Sequence, residues 1–298
     1  MERRRSWAES WAPIAAGLVV GIALALGAWW MMTQRGGDSG AAAFDPGPVH
    51  VHALGVDPAD GALFVATHTG LYRVGEGEDT ARRVSDRHQD TMGFTVAGPN
   101  RFLGSGHPDL RDDLPPLLDL IESSDAGRSW SSVSLLGEAD FHVLRVAGER
   151  VYGYDASNDR LLASADGGRT WQELERPGPI VDLAVSPLEP TRLVAAAAGG
   201  SGAGLFESRD GGESWAPAAD VVGLLAWPTP ERLYVVAGDG DVLMSADGGR
   251  SLRPLGAVGG EPAAFLAASA AELYVALHDG TIKRSADGGA TWAVRSTP

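Results

Sequence analysis

The sequence predicts an all-β fold, a six-bladed β-propeller with Asp-box turns, preceded by one N-terminal transmembrane helix. Three observations predict it: an eight-residue box written five times, a spacing near forty residues between copies, and a charge-free apolar run close to the N-terminus. The box reads Ser-x-Asp-x-Gly-x-Ser/Thr-Trp and starts at Ser123, Ser164, Ser208, Ser245 and Ser285. Its aspartates are Asp125, Asp166, Asp210, Asp247 and Asp287, spaced by 41, 44, 37 and 40 residues. A period of that length, with each unit ending in the same turn, marks a closed array of small antiparallel sheets.

Taken in order, the chain divides into four parts. Residues 1–13 carry Arg3, Arg4 and Arg5 and read as a cytoplasmic N-terminus. Residues 14–32, IAAGLVVGIALALGAWWMM, hold no charge over nineteen residues and end in Trp29 and Trp30, which suit a membrane interface. Such a helix spans roughly 28 Å, close to the thickness of the hydrocarbon layer. The predicted signal-anchor runs N-in, C-out, which places the bulk of the chain outside the cytoplasm, tethered to the cell membrane. A cleaved signal peptide is the competing reading; its apolar region is normally shorter, and cleavage at Ala41-Ala42-Ala43 would make the protein secreted. Residues 33–48 are small, polar and rich in Gly and Pro, as a flexible linker is. Residues 49–298 form the propeller.

Composition narrows the function classes. The formal charge of the 298 residues is -15, of which residues 1–32 contribute +1, leaving -16 on the remainder. That surface repels phosphate backbones, so no nucleic-acid partner is expected. There are no cysteines, which excludes disulfides, thiolate metal sites and cysteine nucleophiles. The 40 glycines fall largely at turns between apolar runs and read as hairpins.

Each repeat reads as four strands, A to D. In the fourth these are IVDLAVSP from Ile180, RLVAAAA from Arg192, GLFES from Gly204, and a strand beginning at Trp215 after the box. The first repeat, HALGVDP, ALFVATH, GLYRV and ARRVSD, has lost its box. The second begins at FTVAG and RFLGSG and carries an insertion, HPDLRDDLPPL, from His107 to Leu117. Within the box, the Asp carboxylate is expected to accept backbone N–H groups across the turn, the glycine to supply a positive φ, and the tryptophan to wedge between sheets. The fifth repeat has Leu252 at the tryptophan position. The box aspartates are therefore read as structural.

These boxes and the six-unit pattern over residues 49–298 resemble the BNR or Asp-box repeat of sialidase-like propellers. Exported bacterial members of that group are often labelled exo-alpha-sialidase or glycosyl hydrolase. The resemblance implies a six-bladed fold; the boxes lie far from the sialidase active site and carry no activity with them. Sialidases hold a carboxylate with three arginines, the first in an Arg-Ile-Pro type motif near the start of the propeller. This chain has His50-Val51-His52-Ala53-Leu54-Gly55 there. Other relatives of the repeat, photosystem assembly factors and sortilin-type receptors, are not catalytic.

A candidate site follows from connectivity. All seven histidines map to strand A starts, strand B ends or D–A links, the face opposite the boxes. Aligning turns places His52 and His142 where Val181 and Val222 stand in the fourth and fifth repeats. His50 and His52 are spaced i, i+2, so on a strand they share a face. The predicted ligand-binding set is His50, His52, His107, Arg111 and His142. Its imidazoles, His50, His52, His107 and His142, can also hold Zn or Cu, although the fold requires no cofactor. If hydrolysis occurs, Asp140, His142, Tyr154 and Asp155 are the nearest acid/base candidates. His68, His88 and His278 read singly as structural. Three function classes remain: a propeller that binds or hydrolyses a glycan or related polar ligand, a non-catalytic scaffold or assembly factor for an envelope protein, and a metal-binding propeller.

Overall fold

The computed structural model describes residues 47–199 and 202–298. The predicted anchor at 14–32, and all but the last two residues of the predicted linker, lie outside the described residues. Among the described residues no helix is long and apolar enough to cross a membrane.

Among the described residues twenty-four strands form six four-stranded antiparallel sheets, each made from one stretch of chain. Blade 1 holds β1 (Val51–Val56), β2 (Leu63–Thr67), β3 (Gly70–Val74) and β4 (Arg82–Arg83). Blade 2 holds β5 (Asp90–Gly98), β6 (Arg101–His107), β7 (Leu120–Ser123) and β8 (Ser131–Ser134). Blade 3 holds β9 (Phe141–Ala147), β10 (Arg150–Asp155), β11 (Arg160–Ser164) and β12 (Gln172–Leu174). Blade 4 holds β13 (Ile180–Val185), β14 (Leu193–Ala197), β15 (Gly204–Ser208) and β16 (Ala216–Ala219). Blade 5 holds β17 (Gly223–Thr229), β18 (Arg232–Ala237), β19 (Asp241–Ser245) and β20 (Arg253–Ala257). Blade 6 holds β21 (Pro262–Ala267), β22 (Leu273–Leu277), β23 (Ile282–Ser285) and β24 (Ala293–Ser296).

The first strand of each blade touches the first strand of the next, and β21 touches β1, so the six inner strands close a ring. Among the described residues no strand is exchanged between the first and last blades. Closure rests instead on an apolar layer in which Val51, Leu54 and Tyr72 of blade 1 meet Tyr274, Ala276 and Ile282 of blade 6. Arg295 adds a polar clasp, donating to the carbonyls of Gly75, at 2.7 Å, and Glu78. One such cluster fills each of the six junctions between blades. Burying both faces of every sheet explains why the second strands are continuous apolar runs, such as Leu193–Ala197.

The boxes build the C–D turns as the sequence predicts. In all five, the serine hydroxyl accepts the N–H of the box glycine at 2.8 Å. The aspartate accepts the N–H four residues on, at 2.9 Å in four boxes and 3.0 Å in the last. Trp130, Trp171, Trp215, Leu252 and Trp292 each pack into the junction with the preceding blade. The boxes thus lie at the ring edge opposite the starts of the inner strands.

Candidate functional site

Six of the seven histidines flank the two innermost strands at the non-box edge, around one mouth of the ring. His50 precedes β1, His52 lies in it, and His142 lies in β9. His107 ends β6, while His68 and His278 directly follow β2 and β22. His88 sits in the link between β4 and β5.

Local backbone geometry aims these side chains. The β1–β2 register skips at His52, and the β9–β10 register skips at His142. Each is therefore the extra residue of a β-bulge, which bends the strand and redirects its side chain. Blade 4 has the same bulge at Val181. The alignment of His52, His142 and Val181 thus corresponds to one structural position, filled by imidazole in blades 1 and 3. His50 is not on a strand: its φ of 53° puts it in the left-handed region, unusual for a residue other than glycine. The shared-face argument for His50 and His52 does not apply, because a bulge and a left-handed residue interrupt the alternation. Both nonetheless approach His68, with ring centroids 6.1 and 6.0 Å from it.

Three of the four histidines of the predicted cluster, joined by His68, fall into two groups, each organised by a buried aspartate, and His50 lies beside the first. Asp90, the first residue of β5, stands between His68 Nδ1 at 2.9 Å and His52 Nε2 at 3.5 Å. Asp140, just before β9, stands between His142 Nε2 at 2.9 Å and His107 Nε2 at 3.9 Å. The groups adjoin, because Asp90 and His107 are cross-strand partners in the β5–β6 register. In both, a histidine at the end of one blade's second strand faces an aspartate at the start of the next blade's first strand.

The electrostatics follow from this packing. Burial pushes the Asp90 carboxyl up, but the imidazoles of His52 and His68 outweigh it and hold it at about 2. The hydrogen bond to Asp90 raises the His68 imidazole against the effect of burial. Burial lowers His50, and His68, His52 and His278 add repulsion. His52 Nε2 and Asp90 Oδ1 are both buried and have no hydrogen-bond partner, as is Asp140 Oδ1. His52, His68 and Asp90 each offer a donor atom within 4.8 Å of the others and could hold a metal ion.

Three predicted candidates stand apart from this arrangement. The Arg111 guanidinium is folded back onto Asp109, at 2.6 Å, and onto the Asp86 carbonyl, so it braces the insertion against the β4–β5 link. Tyr154 is buried, and its hydroxyl donates to Asp159 at 2.7 Å; burial first, then that bond, push it up to about 12. Asp155 is fully buried and holds Arg160 at 2.7 Å, Asn158, and the N–H of Asp140. Those bonds shape the loop beneath Asp140 and leave neither group free for a substrate.

Asp90 is not among the residues that the sequence predicts for the site, and His68 is among those it assigns a structural role. Starting blade 2 at Phe94 left Asp90 in a loop, whereas β5 begins four residues earlier. The available signal was the shared place of His68 and His107 at strand B ends, each followed across the blade junction by an aspartate.

No protein-family profile and no curated protein matches this chain. Solved structures do. A gluconolactonase from Xanthomonas campestris aligns over 84% of this chain and 87% of its own at 14% identity, with a TM-score of 0.61. A GH74 xyloglucanase from the same organism covers 83% of this chain but 45% of its own, at 17% identity and a TM-score of 0.54. YCF48 bound to a D1 peptide covers 85% and 87% at 18% identity, with a TM-score of 0.52. At these identities the likeness is one of fold: the chain is a six-bladed propeller whose structural neighbours include a gluconolactonase, a xyloglucanase and YCF48.

Proposed function

We infer that this chain is a membrane-tethered, extracytoplasmic propeller of the Asp-box type, anchored through residues 14–32. It engages an envelope protein partner at the histidine-bearing mouth and does not hydrolyse a sialoside. The observation that carries this reading is what the mouth offers. It presents two His–Asp–His groups, while the nearby arginines are already neutralised. Arg87 pairs with Asp112, Arg111 with Asp109, Arg160 with Asp155 and Arg176 with Asp159. A sialidase needs free guanidinium groups to clamp a carboxylate, and none of these four supplies one. Most other glycosidases use two carboxyl groups across the scissile bond. Asp155, the carboxylate that the sequence sets beside Asp140, is committed to Arg160.

Two features favour a protein partner. The insertion beside His107 raises Leu110 to 81% exposure, with Leu114 also exposed, an apolar tip on a strongly acidic protein. A neighbour of the same fold, YCF48, has been solved with a bound peptide. The glycan-hydrolase reading draws on the xyloglucanase likeness and names Asp140 and His142 as its acid/base pair.

The two are separated with the full chain in its membrane. A photo-crosslinking residue at position 110 is expected to trap a discrete envelope protein. The same probe at exposed Leu188, on the box edge, is expected to trap none. Turnover of a sialoside or aryl glycoside that disappears in Asp140→Asn would replace this reading with the hydrolase one.

A further inference from the structure

We propose that His52, His68 and Asp90 form a mononuclear site for a divalent transition metal, Zn2+ or Cu2+, at the junction of blades 1 and 2. Three observations converge there. Asp90 is 9% exposed, and its Oδ1 has no hydrogen-bond partner. The atom 3.5 Å away, His52 Nε2, is equally buried and unpartnered. The two atoms face each other as a long ion pair with no hydrogen bond to either, an unmet demand that a shared cation would satisfy. The β-bulge at His52 turns its imidazole toward this point, and the left-handed backbone of His50 sets a third imidazole beside it.

The spacing fits a metal. Ligand atoms bound at about 2.0–2.2 Å in tetrahedral geometry lie roughly 3.3 Å apart. The separations of 2.9 Å from His68 Nδ1 to Asp90 Oδ2 and 3.5 Å from His52 Nε2 to Oδ1 lie close to that value, and one donor atom from each residue lies within 4.8 Å of the other two. The donor set selects the ion. Two imidazole nitrogens and one carboxylate oxygen suit Zn2+ and Cu2+, whereas Ca2+ and Mg2+ take oxygen ligands. Thiolate is absent, since the chain has no cysteine. His50 is a source of a fourth ligand, its ring centroid 6.1 Å from that of His68. This site differs from the four-histidine set expected from the sequence: it replaces His107 and His142 with His68 and Asp90. Because two ligands come from blade 1 and one from blade 2, the ion also clasps neighbouring blades.

The inference stands apart from the partner reading and is tested without any partner. The untagged full chain, purified in detergent and freed of metal, is titrated with Zn2+, Cu2+ and Ca2+ by calorimetry. One equivalent of Zn2+ or Cu2+ is expected, with no heat from Ca2+. Asp90→Asn and His68→Gln are each expected to weaken binding about hundredfold, the range of loss when a metal centre is disturbed, and His142→Ala is expected to leave it unchanged. The Cu2+-loaded wild type is expected to show nitrogen superhyperfine coupling from at least two imidazoles, a readout that does not depend on any variant folding. Failure of the wild type to bind either ion at micromolar concentration overturns the proposal. So does binding that survives in both ligand variants, or that is lost in His142→Ala instead.

Discussion

His68 Nδ1 lies 2.9 Å from Asp90 Oδ2, and this contact joins the inner edge of blade 1 to the first residue of blade 2. It is a charge-assisted pair in which each partner shifts the other: Asp90 is held low and His68 is raised. Truncating one side strands the other. In metal-free protein, His68→Ala is expected to cost about 1–3 kcal/mol, because a buried carboxylate keeps only the more distant His52. His88→Ala removes an exposed ring from the neighbouring link, and its cost should stay within about 0.5 kcal/mol. Urea unfolding midpoints with an unchanged slope give both numbers. Equal costs for the two variants would show that the pair adds nothing to the junction.

A second buried carboxylate ties three blades together. Asp182, in β13, receives the guanidinium of Arg145 from blade 3 and the N–H of Leu225 from blade 5, at 2.8 Å. Burial raises the Asp182 carboxyl, and Arg145 opposes that. Arg145→Ala leaves a buried charge without its cation and is expected to cost about 3–5 kcal/mol. Arg145→Ala combined with Asp182→Ala should recover part of this loss, since the orphaned charge is gone. Thermal melting of the single and double variants measures the coupling. A double variant less stable than Arg145→Ala would contradict the account.

The blades were legible in the sequence because their signals are local. A box fixes the turn between third and fourth strands through hydrogen bonds spanning five residues, such as Ser164 to Gly168. Apolar runs such as Leu193–Ala197 mark strands buried on both faces. The mouth was legible only as far as topology carries: which strand end a histidine occupies follows from the strand order, and the equivalence of His52 and His142 follows from counting to a turn. What topology does not carry is pairing across a blade junction. His68 and Asp90 are 22 positions apart in the sequence, and the polar start of β5, Asp90–Gly93, lacks the apolar alternation that announces a strand. The commitment of Tyr154 to Asp159 and of Asp155 to Arg160 was likewise invisible, being decided by side-chain direction in a bulged strand pair.

Acid should loosen the box turns. The hydroxyl of the Ser or Thr four residues on, followed by backbone N–H bonds, holds Asp210 and Asp287 at about 2, against an ordinary value of 3.8. A carboxylate held low in the fold binds fewer protons than in the unfolded chain between those values, so its stabilisation is present above about 4 and is lost as pH falls toward about 2. Burial holds Asp119 in the opposite sense, up to about 6, so its own effect weakens stability as pH rises through that range. The comparison of wild type with Asp210→Asn/Asp287→Asn removes that background. The double variant should be less stable at neutral pH and show a shallower fall in melting temperature between about pH 5 and pH 2. Parallel pH profiles would mean that the boxes do not contribute to acid sensitivity.

Box glycines separate backbone strain from packing. Gly168 and Gly249 have nearly the same φ, 89° and 93°, so a methyl group costs each the same left-handed strain. Their surroundings differ. A Cβ on Gly168 would overlap Leu120 Cδ2, in the buried junction of blades 2 and 3, whereas on Gly249 the nearest atom is Leu205 Cδ1 at 3.4 Å, ordinary contact. Gly249→Ala should therefore cost about 1–2 kcal/mol from strain alone. Gly168→Ala adds overpacking, typically about 1–3 kcal/mol more. Chemical unfolding of the two variants reads the difference directly. If Gly249→Ala proves the more damaging, the cost lies in the turn hydrogen bonds themselves, not in the packing of the box against the preceding blade.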